Sequence, residues 1–90
     1  MKTSNGKCRA FVQNCQAFKA NNLFAVHNRE GVYSVWSYGY HFPLFAYLNG
    51  TWYENSDRYS VSTSKHRSQS HPLTETVKVN TEDLQRLIRG

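Results

Sequence analysis

Ninety residues leave room for one core and exclude a second domain, since a chain of this size buries only ~60–65% of the surface its unfolded form exposes. Apolar residues make up 39% of the chain and aromatics 14%. That density of rings excludes disorder and makes Phe, Tyr and Trp the main core formers. Lys and Arg outnumber Asp and Glu by 11 to 6, a formal charge of +5. Lys2, Lys7, Arg9, Lys19 and Arg29 precede the first acid, Glu30, whereas residues 30–57 hold Glu30, Glu54 and Asp57 and no cation. Two basic regions thus flank a nearly uncharged aromatic one, an arrangement suited to phosphate, a nucleoprotein or an acidic protein surface.

No apolar run is long enough to span a membrane. The first twenty residues also lack the apolar centre of a secretion signal. The chain is therefore expected to stay in the cytoplasm of the cell that makes it, with Cys8 and Cys15 reduced.

In chain order, Phe11, Cys15 and Phe18 recur at i, i+4 and i+7 with Val12 beside them, which predicts an amphipathic helix over residues 7–20 closed by Asn21 and Asn22. From Leu23 the pattern changes to short segments rich in Val, Phe, Tyr and Trp, a strand signature. Residues 23–28 and 32–38 are expected to pair through a connection of two or three residues near Gly31. Pro43, which has no amide hydrogen, should bend or end a strand in the run SYGYHFP. A further strand starts at Leu44.

The strongest local signal is YLNGTWY, residues 47–53, because Asn-Gly supplies both positive-φ positions of a type I′ hairpin. That turn sets Leu48 opposite Thr51, Tyr47 opposite Trp52 and Phe45 opposite Glu54. Residues 59–63 and 74–79 are read as further short strands. The tail, residues 80–90, has a capping Asn80, acids in its first turn and Leu84, Leu87 and Ile88 at helical spacing, so it is read as a terminal helix. The sum is one α+β domain, residues 1–90, with a mostly antiparallel sheet, an N-terminal helix and a short C-terminal one.

Two stretches could carry function. STSKHRSQSHP, residues 62–72, is read as a polar loop in which Ser64, Lys65, His66, Arg67, Ser68 and Gln69 bind nucleic acid or another anion, since cations and short hydroxyls suit phosphate oxygens. In WSYGYHFPLFAY, residues 36–47, the alternation of Trp36, Tyr38 and Tyr40 predicts three rings on one side of a strand, able to stack bases. The competing reading gives those rings to the core. Cys8 and Cys15, seven apart, and His66 and His71, five apart, do not have the spacing of a structural zinc site. No nucleophile elbow, phosphate-binding Gly loop or HExxH is present. His41 and Asp57 could in principle form an acid/base pair, yet nothing in the sequence places them together. No catalytic residue, metal or cofactor is assigned.

The segments SYGYHFPL (37–44) and WYENSDRYSVSTSKHRSQ (52–69), with the adjoining His71-Pro72, resemble the core of a small family of bacteriophage and bacterial proteins that carries no assigned activity. The resemblance spans roughly residues 23–72. It implies a phage or mobile-element origin, and with it either a role in coating or reading nucleic acid or the disabling of a host protein such as a defence component. The expectation is a non-enzymatic cationic module that binds nucleic acid or a nucleoprotein. The alternative is a phage inhibitor of a host protein, acting by contact through an apolar or acidic patch near residues 54–57.

Overall fold

A single sheet organises the chain in the computed structural model, which describes residues 2–40, 42–58 and 60–90. Its six strands lie in space in the order they occur in sequence: β1 (Phe18–Ala20), β2 (Leu23–Arg29), β3 (Val32–Ser37), β4 (Phe42–Leu48), β5 (Thr51–Asn55) and β6 (Val77–Val79). The first five pair antiparallel through short connections. β6 pairs parallel with β5, because helix α2 (Val61–Ser70) carries the chain back across the sheet between them. The fold is α+β with a mostly antiparallel sheet, as the sequence predicts.

The N-terminal helix is shorter than its periodicity suggests. A 3₁₀ turn (Asn5–Lys7) leads into α1 (Arg9–Gln13), which stops where Cys15 takes φ 51° and Gln16 N–H bonds back to Phe11 O at 2.8 Å. Phe18 then belongs to β1 rather than to the helix. It faces the core by the strand period of two, and Asn21 and Asn22 form the β1–β2 turn, pairing Ala20 with Leu23. An i, i+4, i+7 pattern made of three residues was satisfied by a helical turn followed by a strand.

The Asn49-Gly50 hairpin has the register its turn chemistry demands: Leu48 pairs with Thr51, Tyr47 with Trp52 and Phe45 with Glu54. The Tyr47 and Trp52 rings lie 5.0 Å apart. Asn49 and Gly50 sit at φ 51° and 77°, and a Cβ added at Gly50 would meet open space. The penalty for Gly50→Val is therefore backbone strain alone, about 1 kcal/mol or more for a β-branched residue held at positive φ. A fall in melting temperature of about 4–8 °C or more is expected by circular dichroism, and an unchanged one would disprove the turn type.

Pro43 does bend its strand. Val35 pairs with Phe45 and Trp36 with Pro43, so Leu44 is the extra residue of a bulge. Leu44 and Phe45 consequently both reach the same core, with Val12, Leu23, Val35 and Trp52, on the face that α1 and α2 cover. On the opposite face α3 (Thr81–Arg89) packs Leu84 and Ile88 on Val32, Trp36 and Ala46. Asn80 caps it, its Oδ1 accepting from Asp83 N–H at 2.8 Å. The β2–β3 connection resolves to two residues, Glu30 and Gly31, with a bulge between His27 and Arg29.

Two segments depart from the sequence reading. Residues 62–72 are not a loop, because most of them form α2, with Ser60 Oγ capping Thr63 N–H at 3.1 Å. The strand expected over 59–63 is replaced by that helix start, Tyr59 itself lying outside the described residues. α2 escapes hydrophobic periodicity because the side chains it buries are Thr63, His66 and Ser70, all polar. The strand expected over 74–79 is confined to β6.

Candidate nucleic-acid interface

A helix sorts the residues that a loop would have presented together. At 100° per residue, Ser62, Lys65, His66 and Gln69 form one stripe of α2. That stripe forms one wall of a cavity of about 400 Å³, closed on the other sides by Asn5, Asn21, Asn22 and Tyr38. Three of the predicted anion-binding residues, Lys65, His66 and Gln69, thus come together, joined by Tyr38 from the predicted stacking set. None of the eight lining residues is acidic. Asn5 and Asn21 were not singled out from the sequence. They hold one wall by reciprocal bonds, Asn5 Nδ2 donating to Asn21 O at 3.1 Å and Asn21 N–H to Asn5 Oδ1 at 2.9 Å, and the only sequence signal was a pair of adjacent turn-forming asparagines.

His66 is anchored from behind. Ser60 Oγ donates to Thr63 Oγ1 at 3.0 Å, Thr63 Oγ1 lies 3.5 Å from Ser37 Oγ, and Ser37 Oγ is 2.8 Å from His66 Nδ1. If each hydroxyl donates onward along this chain, Nδ1 accepts and the proton of the neutral ring sits on Nε2, which has no partner among the described residues and can donate into the cleft. Burial, then the neighbouring Lys65 charge, holds the His66 pKa below its ordinary 6.5. The folded chain therefore favours neutral His66 and the unfolded chain protonates first on acidification. Its contribution to stability is whole above pH 6.5 and is lost as pH falls below that value. Ser37 is fully buried, so the Ser37–His66 pair is an anchor and not an exposed nucleophile. Gln69 Oε1 is buried with no donor among the described residues.

Arg67 turns the other way. Its guanidinium donates to Asn55 O at 2.8 Å and lies 4.0 Å from the Glu54 carboxylate. Ser64 is half-buried and Ser68 is exposed, and neither lines the cleft. The N-terminal cations divide similarly. Arg9 donates to Ser68 O (2.5 Å) and His71 O (2.9 Å) at the C-terminal end of α2, and Arg29 to Leu87 O and Ile88 O (3.4 Å each) at the end of α3. Both complement the negative pole of a helix. Of the two basic regions in the sequence, the cations left without a side-chain partner among the described residues thus include Lys2, Lys7, Lys19 and Lys65 but not Arg9, Arg29 or Arg67.

Of the three rings expected on one side of a strand, Trp36 and Tyr40 share a face and Tyr38 leaves it. β3 ends at Ser37, and Tyr38 and Gly39 both adopt positive φ (57° and 79°). Trp36 is 5% exposed and belongs to the core under α3. Tyr38 packs against His66 with ring centroids 5.4 Å apart, whereas Tyr40 lies over Trp36 and Phe24 on the other face.

Among the described residues, no three His, Cys, Asp or Glu side chains gather as metal ligands, and His41 lies outside those residues. The segment 54–57 is not an open acidic patch. Glu54 and Asn55 are buried, and Asp57 accepts from Thr81 N–H at 2.9 Å, a bond that holds its carboxyl below the usual range. Comparison of the chain with protein families, curated proteins and solved structures gave no match.

Proposed function

We propose that the chain is a small cationic binding module for nucleic acid, held chiefly through its phosphate backbone at the cleft between α2 and the β1–β2 and β3–β4 turns. The observation that carries this reading is the lining: amide and hydroxyl donors, a neutral histidine and the unpaired Lys65, without one carboxylate. Phosphate oxygens need donors of this kind. The resemblance to phage and bacterial proteins is compatible with such a role.

Fluorescence anisotropy with short oligonucleotides at several salt concentrations tests the proposal. Lys65→Ala should lower the salt slope by about 1 while changing stability by less than about 0.5 kcal/mol. Arg67→Ala should leave the slope unaltered, since its guanidinium is spent on Asn55 and Glu54. A phosphate beside His66 draws a proton onto the ring, so affinity should rise as pH falls below about 6.5 and stay flat from about pH 7 to 8. Absence of binding by the parent protein at low salt would overturn the reading. It would favour a host-protein partner instead, to which the exposed Leu73 and Val77 at the entry to β6 (64% and 49%) offer apolar surface. A pull-down from host lysate with and without nuclease separates the two.

A further inference from the structure

On the α3 side of the sheet, strand register sets Lys19 of β1, Phe24 of β2 and Trp36 of β3 in one cross-strand row. Tyr40 lies edge-on to two of them, its centroid 5.0 Å from the Phe24 ring and 5.2 Å from the Trp36 ring. Helix α3 packs over β3, β4 and β5. Toward β1 and β2 it leaves a groove of about 360 Å³ lined by Phe18, Lys19, Phe24, Val26, Gly39 and Tyr40. Tyr40 is 62% exposed there, far more than a ring recruited only to fill a core. Lys19 is the groove's one charged residue and has no side-chain partner among the described residues. Lys2 is its backbone neighbour across an isolated bridge. A second feature joins this groove to the polar cleft. Tyr38 N–H bonds to Asn22 O at 3.0 Å, fixing a turn whose two left-handed residues aim Tyr38 into the cleft and Tyr40 into the groove. A bulky side chain at positive φ is uncommon and is retained where the surroundings enforce it.

We infer that the groove is a base-stacking subsite and that the ligand is single-stranded nucleic acid, its backbone held in the cleft by Lys65 and His66 and its chain crossing the 38–40 turn so that a base lies on Tyr40. This rests on the nucleic-acid reading of the cleft and specifies its ligand. A free aromatic face beside an unpaired lysine, in a groove without a carboxylate, complements a base with its phosphate. A duplex keeps its bases stacked on one another and cannot offer one to a groove on the far side of the sheet.

The test is anisotropy at low salt with three probes of equal length, about 12 nucleotides to match ordinary site sizes: a single strand, a duplex, and an abasic strand that keeps its phosphates. The parent protein is expected to bind the single strand tightest. Tyr40→Leu, which keeps an apolar cover, should weaken single-strand binding by about 5- to 100-fold with an unchanged salt slope, leave the abasic strand unaffected, and be rescued in Tyr40→Phe. Should Tyr40→Leu fail to fold, the parent's preference for the intact over the abasic strand decides alone. Equal binding of all three probes by the parent, with a slope that responds to Lys65→Ala, would sink the stacking subsite and leave the phosphate cleft standing. No binding of any probe would remove both.

Discussion

Asn55→Ala is expected to cost about 3–4 kcal/mol of folding stability. Asn55 is fully buried at the end of β5. Its Nδ2 donates to Pro43 O at 2.8 Å and to Thr81 Oγ1 at 2.9 Å, and its Oδ1 accepts from Asp57 N–H at 2.8 Å. One amide therefore ties the β4 bulge, the chain leaving β5 and the first residue of α3. The three bonds contribute roughly 1 kcal/mol each, and the penalty for a partner left unsatisfied stays near its lower end of roughly 1 kcal/mol because water reaches Asp57 and Thr81. Domains of this size have about 5–15 kcal/mol in all, and each kcal/mol lost lowers the melting temperature by about 4–8 °C. A drop of roughly 12–32 °C is therefore expected by scanning calorimetry. Asn55→Asp should be no better, since it exchanges both donations for a charge facing Pro43 O. A melting temperature within about 5 °C of the parent would show that β4 and α3 hold together without this side chain.

The sheet was legible where local chemistry leaves one solution. Asn49-Gly50 fixes a hairpin, the hairpin fixes register, and alternation then assigns faces from Phe45 to Glu54. The terminal helix was legible for the same reason, since Asn80, Glu82 and Asp83 mark its start and Leu84 with Ile88 mark its buried side. What could not be read was α2. A helix is recognised in sequence by an apolar stripe, and this one faces the sheet with Thr63, His66 and Ser70. Their burial is tolerable only because Ser37 meets His66 and the Ser70 hydroxyl bonds back to His66 O at 2.7 Å. Such partners are supplied by tertiary structure, so no window on the sequence reveals them.

That omission governed the reading of the site. Treated as a loop, Lys65 and Arg67 are near neighbours on one patch. On a helix they point about 200° apart, one into the cleft and one toward Glu54. The cleft's far wall, Asn5 and Asn21, comes from residues that the sequence marked only as lying before a helix and at its stop. The separation of Tyr38 from Tyr40 likewise depends on two successive left-handed residues, and only Gly39 signals one of them in the sequence. Residue types were thus a fair guide to the chemistry present, whereas the faces on which they act followed from backbone geometry.

Glu54→Ala is expected to be nearly as costly as the loss of Asn55, and it separates the two roles that adjacent cations of α2 play. Glu54 is 7% exposed on β5. Its Oε1 accepts from Thr76 Oγ1 at 2.7 Å and from His71 Nε2 at 3.2 Å, and Arg67 Nε stands 4.0 Å from Oε2. The His71 tautomer follows from its other nitrogen: Nδ1 accepts from Leu73 N–H at 2.9 Å, so Nε2 carries the hydrogen. The carboxylate thereby fastens the end of α2 and the approach to β6 onto β5, which is the closure of the parallel crossover. Hydrogen bonds to a charged group contribute about 1.5–3 kcal/mol each, and their loss is partly relieved by water at the half-exposed His71, giving a net loss of about 2–4 kcal/mol. Glu54→Gln should fall between parent and alanine, because an amide keeps one acceptor but turns a donor toward His71 or Arg67. Arg67→Ala should cost about 1–2 kcal/mol through its bond to Asn55 O. Urea unfolding of the three variants measures these losses. In the folded variants the salt dependence of oligonucleotide binding should match the parent, since neither Glu54 nor Arg67 lines the cleft. A weaker salt slope in Arg67→Ala would return that cation to the binding surface, and full stability in Glu54→Ala would show that β6 is held by its backbone ladder alone.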